Sequence, residues 1–280
     1  NVHALAVETD FDGCQAMVKD MFLDASMVQE STRLIAANSI NWTRCMTQSV
    51  YFFWSYLKLK DITSSLSFSI PSGNFGHAYA GWTAKQIGLP IDRLLIATNS
   101  NDVLYKLFSN NLYEKGNVNQ TLAPSMDISV ASNFERLLYN LYNDNSDLLL
   151  DAMNTFKNKS IQIPHERWPE IKEIFPSLSS NDEQIIHQIK ETFSNHNYLL
   201  DPHTATGIRA AKNLALKDET IVTMATAHPA KFVDAMKSAL EEYPIDEPPQ
   251  LKLTNEREEV FTVLPNNLNV VKDYVRTNLK

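Results

Sequence analysis

The sequence predicts an α/β fold in which helices flank a mostly parallel sheet, and three segments carry this prediction. Residues 66–70 form a short apolar strand that passes through a glycine-bearing turn, 71–76, into a helix over about 77–87. Residues 94–97 are continuously apolar, as in a parallel strand that is buried on both faces. Residues 220–224 are rich in β-branched side chains and precede a proline that would start a helix.

The composition argues against several classes of function. A chain of 280 residues with 44% hydrophobic and 21% charged residues is typical of a soluble globular protein with one large or two small domains. The formal net charge of −8 argues against nucleic acid as a partner, and no apolar run is long enough to span a bilayer. Cys14 and Cys45 are too few for a disulfide framework or a metal site, so we expect a cytoplasmic protein without a metal.

The remaining elements follow from periodicity. An alternating strand at 2–7 leads into a helix for which Asp12 is the expected N-cap, and a long amphipathic helix ends near Leu57. Residues 117–206 contain no glycine, are polar and include periodic helical stretches. We therefore predict one sheet domain that is interrupted by a helical insertion, with its parts at 1–130 (sheet domain), 131–200 (insertion) and 201–280 (remainder of the sheet domain).

The turn at 71–76 is the first candidate site. Four of the seven glycines of the chain fall within residues 66–88, the segment that contains this turn. A strand that feeds such a turn into a helix N-terminus presents free backbone N–H groups to an anion. The turn has neither the Gly-Lys-Ser/Thr ending of a Walker loop nor a GxGxxG pattern. From its shape alone, an ordinary strand-to-helix turn and a phosphate-binding turn remain equally open.

A second candidate site lies before the long helix. Asn38, Ser39 and Asn41 precede Arg44 by a few residues. Amide and hydroxyl donors beside a guanidinium could hold an oxyanion. The alternative is that Ser39 or Asn41 caps the helix while Arg44 is solvated. The spacing alone favours capping.

Several motifs, in the same order, resemble those of threonine synthase. Pro-Ser-Gly-Asn-Phe-Gly at 71–76 is similar to the segment that cradles the cofactor phosphate in this family, and Asn-Ser-x-Asn-x-x-Arg at 38–44 is similar to its substrate-phosphate motif. Asp-Pro-His at 201–203 and Ala-Thr-Ala-His-Pro at 225–229 extend the resemblance over essentially the whole chain. The family belongs to the fold-type II enzymes that use pyridoxal 5'-phosphate (PLP), which are related in fold to the tryptophan synthase β subunit. The resemblance therefore implies that the sheet domain is a PLP-binding catalytic domain.

The resemblance also implies roles for individual residues. The cofactor phosphate would be bound through backbone N–H groups of the turn, namely those of Ser72, Gly73, Asn74, Phe75 and Gly76. The hydroxyl of Thr226 would bond the pyridine nitrogen, although a threonine at that place could instead cap a helix. Asn38, Ser39 and Arg44 would hold the phosphate of the substrate, and Asn41 would be structural. His77 departs from the family pattern, in which Asp or Asn is common in bacterial members.

The implied reaction converts O-phospho-L-homoserine and water into L-threonine and phosphate, the last step of threonine biosynthesis. The family's cofactor-binding lysine lies in a motif of the type His-Gly-Pro-Thr-x-x-Phe-Lys-Asp, which this sequence does not contain, so the catalytic residue stays unknown. We expect that motif to lie upstream of Asn1, which would make the chain the C-terminal portion of such an enzyme. The alternatives are a phospho-lyase that releases a keto acid and an inactive fragment that only binds phosphate. A monomer or a homodimer is expected.

Overall fold

The computed structural model describes residues 2–27, 33–240, 242 and 247–278. The chain forms two compact units, one of residues 37–246 and one that joins residues 1–36 with 247–280. The strands are β1 (Leu5–Val7), β2 (Leu66–Pro71), β3 (Leu94–Thr98), β4 (Ser177–Ser179), β5 (Thr220–Thr223) and β6 (Thr262–Leu264). The helices are α1 (Phe11–Leu23), α2 (Trp42–Leu59), α3 (Gly76–Gln86), α4 (Val103–Asn110), α5 (Phe134–Leu141), α6 (Ser146–Phe156), α7 (Trp168–Ile174), α8 (Asp182–His196), α9 (Pro202–Leu214), α10 (Val233–Ala239), α11 (Pro249–Asn255) and α12 (Leu268–Asn278). Short 3-10 helices lie at Ala25–Met27, Pro124–Met126 and Pro229–Lys231.

The larger unit contains a four-stranded sheet in the order β4-β3-β2-β5, and every neighbouring pair is parallel. All residues of β2 and β3 are buried, which explains why β3 is an almost continuous apolar run and why the two polar residues of β2 are small serines. Helix α9 contacts all four strands, and α2 packs against α3. The prediction of a mostly parallel sheet that is flanked by helices is confirmed. Because the strands are parallel, the segments that follow them meet at one edge of the sheet.

The predicted helical insertion, 131–200, contains helices α5 to α8 and also the edge strand β4. The strand consists of Ser-Leu-Ser, pairs with β3 from Ile96↔Ser177 onward, and was not predicted. Three residues with two serines give no periodic signal, so only the pairing with β3 identifies the strand. The boundaries at 130 and 200 do not coincide with those of the two units, and the domain organisation stays a prediction.

The smaller unit brings together the first and last parts of the chain. Strands β1 and β6 pair in parallel, with Leu5 opposite Thr262. Helix α1 is capped by Asp10, whose carboxylate accepts the N–H of Gly13 at 2.8 Å, so the cap lies two residues before the predicted Asp12. After α1, Asp24 forms an ion pair of 2.7 Å with Lys272 on α12. Within the described ranges, no helix is both long and apolar enough to cross a membrane.

Candidate active site

The turn between β2 and α3 is the centre of the candidate site. The backbone N–H of Ser72 donates to the carbonyl of Ala97 at 2.8 Å and is thereby engaged by the sheet. Its hydroxyl oxygen is buried and bonds to none of the described residues. Phe75 adopts a left-handed conformation with a φ of 63° and is only 1% exposed. The prediction that the Ser72 N–H binds the cofactor phosphate is therefore wrong, because strand pairing engages this N–H, and only the Ser72 hydroxyl is without a partner among the described residues.

The backbone N–H groups of residues 73–76 are the donors that the turn offers. Among the described residues, none accepts a hydrogen bond from them, and no side chain caps α3. The N-terminus of a helix carries partial positive charge and favours anions. Free N–H donors at a helix N-terminus are what an anion-binding turn requires, and the phosphate site at this turn stays a prediction.

Both glycines of the turn lie where an added Cβ would be in unusually tight contact with its surroundings. A Cβ on Gly73 would stand 3.2 Å from the Cα of Met126 and 3.2 Å from the carbonyl oxygen of Ser125. A Cβ on Gly76 would stand 3.0 Å from the Cβ of Ser39. The turn is thus packed tightly on one side against the 125–126 backbone and on another against the 38–44 segment.

Asn74 holds the turn in place through its oxygen atoms, which leaves the backbone N–H groups of the turn available. The carbonyl oxygen of Asn74 accepts the backbone N–H of Asn133 at 3.0 Å and the side-chain Nδ2 of Asn133 at 3.1 Å. Its side-chain oxygen accepts the hydroxyl of Ser132 at 3.1 Å. Asn74 is therefore an anchor for the shape of the turn.

The structure brings the predicted substrate-phosphate segment, 38–44, beside this turn. Asn41 caps α2 by accepting the N–H of Thr43 at 3.0 Å, which confirms the structural role predicted for it. Asn38 accepts the N–H of Ile40 at 3.0 Å and is exposed, as is Arg44. Ser39 is the member of the segment that reaches Gly76. The N-termini of α2 and α3 therefore lie close together.

Thr226 follows β5 at the same edge of the sheet and is exposed. Its backbone N–H donates to the hydroxyl of Thr204 at 3.1 Å, and the two hydroxyl oxygens are 3.5 Å apart. The Thr204 hydroxyl in turn donates to the carboxylate of Asp201. Asp201 is the N-cap of α9, as the sequence predicted. A buried carboxylate thus anchors the segment that carries Thr226.

His203 connects this network to the glycine turn. Its Nε2 accepts the backbone N–H of Ser125 at 3.1 Å, so the ring proton lies on Nδ1, which donates to Asp201 at 2.9 Å. Burial raises the pKa of Asp201, but hydrogen bonds from His203 and Thr204 outweigh it and the pKa is lowered. The carbonyl of Ser125 packs against Gly73, so His203 supports the turn indirectly, by holding the Ser125 backbone in place. The sequence did not indicate this role.

His77, the departure from the family pattern, is a neutral packing residue. Burial lowers its pKa to about 4, and its ring lies 5.2 Å from that of Phe52. Its Nε2 finds no partner within the described part of the chain. No group of three His, Cys, Asp or Glu residues among the described ones could hold a metal ion.

Comparisons with known proteins agree with the motifs. The family model described as threonine synthase, C-terminal, matches residues 204–275. A threonine synthase of Pseudomonas aeruginosa is 43% identical over 277 residues, which cover 98% of this chain and 59% of that protein. The crystal structure of PLP-bound threonine synthase from Brucella melitensis has a TM-score of 0.85 and 41% identity and covers 99% of this chain and 59% of that one. The crystal structure of yeast threonine synthase has a TM-score of 0.81 and 33% identity, with 98% and 59% covered.

The chain therefore spans about three fifths of the length of these relatives. The likeness in structure confirms the predicted fold-type II class. With 43% identity across 98% of its residues to a threonine synthase, the chain belongs to the threonine synthase family.

Proposed function

We propose that this chain supplies the phosphate-binding part of a PLP-dependent threonine synthase, which converts O-phospho-L-homoserine and water into L-threonine and phosphate. The proposal rests on one observation above all. The N–H groups at 73–76 and the buried hydroxyl of Ser72, none of which bonds to a described residue, lie beside the 38–44 segment at the carboxyl edge of a parallel sheet. PLP and O-phosphohomoserine each carry one phosphate group, and the N-termini of two helices at this place could bind one phosphate each.

The residues of the turn fit the cofactor phosphate. The N–H groups of 73–76 and the hydroxyl of Ser72 would donate to phosphate oxygens, and the N-terminus of α3 would favour their charge. Bound PLP supplies an electron sink for carbanion chemistry at the substrate. The hydroxyl of Thr226, exposed at the same sheet edge, would bond the pyridine nitrogen.

The 38–44 segment fits the phosphate of the substrate. The guanidinium of Arg44 is exposed and therefore free to pair with two phosphate oxygens at once. Asn38 and Ser39 would add an amide and a hydroxyl at the N-terminus of the 18-residue helix α2. Holding the phosphate in this way would stabilise it as the leaving group.

We assign the complete enzyme to the carbon–oxygen lyases that act on phosphates. The cofactor-binding lysine motif of the family does not occur in residues 1–280, so we expect this chain alone to be inactive. Two free thiols, Cys14 and Cys45, support a cytoplasmic location. We expect a small-molecule substrate and a monomer or homodimer.

Two measurements test the proposal. Residues 1–280 should bind PLP more tightly than pyridoxal, which lacks the phosphate, and should form no threonine. A protein that carries this chain together with the lysine motif should release one phosphate for each threonine formed from O-phosphohomoserine. Equal binding of PLP and pyridoxal would contradict the cofactor assignment, and release of a keto acid in place of threonine would support the phospho-lyase.

A further inference from the structure

Asn133 and Arg136 lie at the start of α5, outside the motifs that the sequence singled out. Asn133 precedes α5, and Arg136 lies one turn later on that helix. Both side chains point toward the two loops of the candidate site, as their hydrogen bonds show. Neither residue belongs to the cofactor or substrate motifs described above.

Arg136 reaches the 38–44 segment directly. One of its terminal nitrogens donates to the carbonyl oxygen of Ile40 at 2.8 Å, although the two residues are 96 positions apart. Its Nε donates to the side-chain oxygen of Asn133 at 3.0 Å. The guanidinium also lies over the ring of Trp42, the first residue of α2, at 5.4 Å from its centre. Arg136 therefore holds the segment at two points, before and at the start of α2.

Asn133 reaches the glycine turn at the same time. Its amide nitrogen donates to the carbonyl oxygen of Asn74, and its amide oxygen accepts from Arg136 and from the thiol of Cys45 at 3.4 Å. The same thiol contacts the carbonyl oxygen of Ser39 at 3.4 Å. Asn133 is only 1% exposed, so replacing its amide would take a buried hydrogen-bond partner from the Asn74 carbonyl, the Arg136 guanidinium and the Cys45 thiol.

We propose that Arg136 and Asn133 are positioning residues that hold the 38–44 segment against the glycine turn and so set the distance between the two phosphate sites. What those sites bind rests on the proposed function, whereas the holding itself does not. The planar guanidinium suits this task because it addresses the Ile40 carbonyl and the Asn133 amide in one fixed geometry. A lysine has one ammonium group and cannot present the same fork.

Hydrogen–deuterium exchange on residues 1–280 tests the holding without any ligand. Arg136→Gln and Arg136→Lys should raise the exchange of the 38–44 amides by roughly tenfold, the factor expected for a hydrogen bond to a charged group. Exchange in β2 and β5 should stay as in the unchanged chain. Arg167→Gln is the matched control, since Arg167 lies in the same unit and pairs with Glu170 at 3.6 Å.

Binding of two ligands to the same variants tests the consequence. Arg136→Gln should lower the affinity for O-phosphohomoserine by about tenfold and the affinity for PLP much less. Asn133→Ala should lower the affinity for both ligands. Fluorescence of Trp42, which lies beneath Arg136, reports the substrate side.

Exchange at 38–44 that is unchanged in Arg136→Gln, or that rises equally in all strands, would overturn the inference. So would an Arg136→Lys variant that keeps the exchange and the affinity of the unchanged chain. If residues 1–280 bind neither ligand, the proposed function fails in this chain, and the exchange result alone still decides whether Arg136 and Asn133 hold the segment.

Discussion

The buried polar groups at the two ends of the central strands differ in whether they have hydrogen-bond partners. At the amino end, Arg93 before β3 pairs with Glu219 before β5, and Ser67 of β2 donates to the same carboxylate and accepts the N–H of Arg93. The Glu219 side chain is only 3% exposed, and each of its oxygens has partners. At the carboxyl end, the hydroxyls of Ser72 and Thr98 are buried and bond to none of the described residues.

We propose that this difference separates groups that stabilise the fold from groups that are available to a ligand. A buried polar atom without a partner costs free energy, so natural proteins keep few of them. In parallel α/β sheets, ligands bind at the carboxyl ends of the strands. We therefore expect substitutions at the amino end to change stability and substitutions at the carboxyl end to change binding. Each prediction below tests one side of this contrast.

The largest effect is expected from Glu219→Gln. Removing the charge leaves the guanidinium of Arg93, which is 16% exposed, without its ionic partner, and breaking such a buried pair costs about 3 kcal/mol. Urea denaturation should show this loss in the free energy of unfolding. Glu191→Gln is the matched control, because Glu191 pairs with Lys212 on the surface and its removal should cost much less stability. Similar losses in both variants would contradict the contrast.

The same carboxylate predicts a dependence on pH. Burial raises the pKa of Glu219, but hydrogen bonds from Arg93 and Ser67 outweigh it, so its pKa in the folded state is lowered. Its contribution is then complete above the ordinary glutamate pKa of about 4.3 and is lost as the pH falls through the lower folded-state value. The difference in unfolding free energy between the unchanged chain and Glu219→Gln should shrink below pH 4. A constant difference would show that the carboxylate does not titrate as stated.

At the carboxyl end, Gly73→Ala should weaken PLP binding because it changes the shape of the turn. The new Cβ would press on the Met126 Cα and the Ser125 carbonyl, and backbone atoms cannot move aside as a flexible side chain can. We expect a loss of about 1–2 kcal/mol in stability and a larger loss in PLP affinity, since the turn must shift. Gly116→Ala is a control, because a Cβ there meets nothing within 4 Å. Unchanged PLP affinity in Gly73→Ala would contradict the assigned phosphate site.

Much of the fold could be predicted because the signals are local. Strands β2 and β3 are rich in apolar residues, β5 is rich in β-branched residues, and the turn after β2 concentrates glycine. Strand β4 was not predicted, because one leucine between two serines gives no strand signal and the segment becomes a strand only through pairing with β3. The N-cap of α1 moved from Asp12 to Asp10 because the carboxylate that reaches the third helical N–H decides the start, and two nearby aspartates look alike in sequence.

The site divides in the same way. The turn and the 38–44 segment could be found from their motifs, since each is contiguous. The groups that hold them could not, because the Arg136 contact to Ile40 and the His203 contact to Ser125 join positions 96 and 78 residues apart. The engagement of the Ser72 N–H by Ala97 likewise depends on strand pairing. Binding groups were thus predictable from local order, whereas their supports depend on the tertiary structure.

The smallest effects come from a matched pair of serines, one at each end of β2. Ser67→Ala removes a donor to Glu219 and an acceptor for Arg93 and should lower stability by about 1–2 kcal/mol without changing PLP affinity. Ser72→Ala removes a hydroxyl that has no partner among the described residues, so stability should stay within about 0.5 kcal/mol or rise while PLP affinity falls. Urea denaturation and PLP titration of both variants measure the two quantities. If Ser72→Ala destabilises the chain as much as Ser67→Ala and binds PLP with unchanged affinity, the Ser72 hydroxyl stabilises the fold and does not bind a ligand. The reason is that a hydroxyl without a hydrogen bond in the unliganded protein can be removed with no loss of stability.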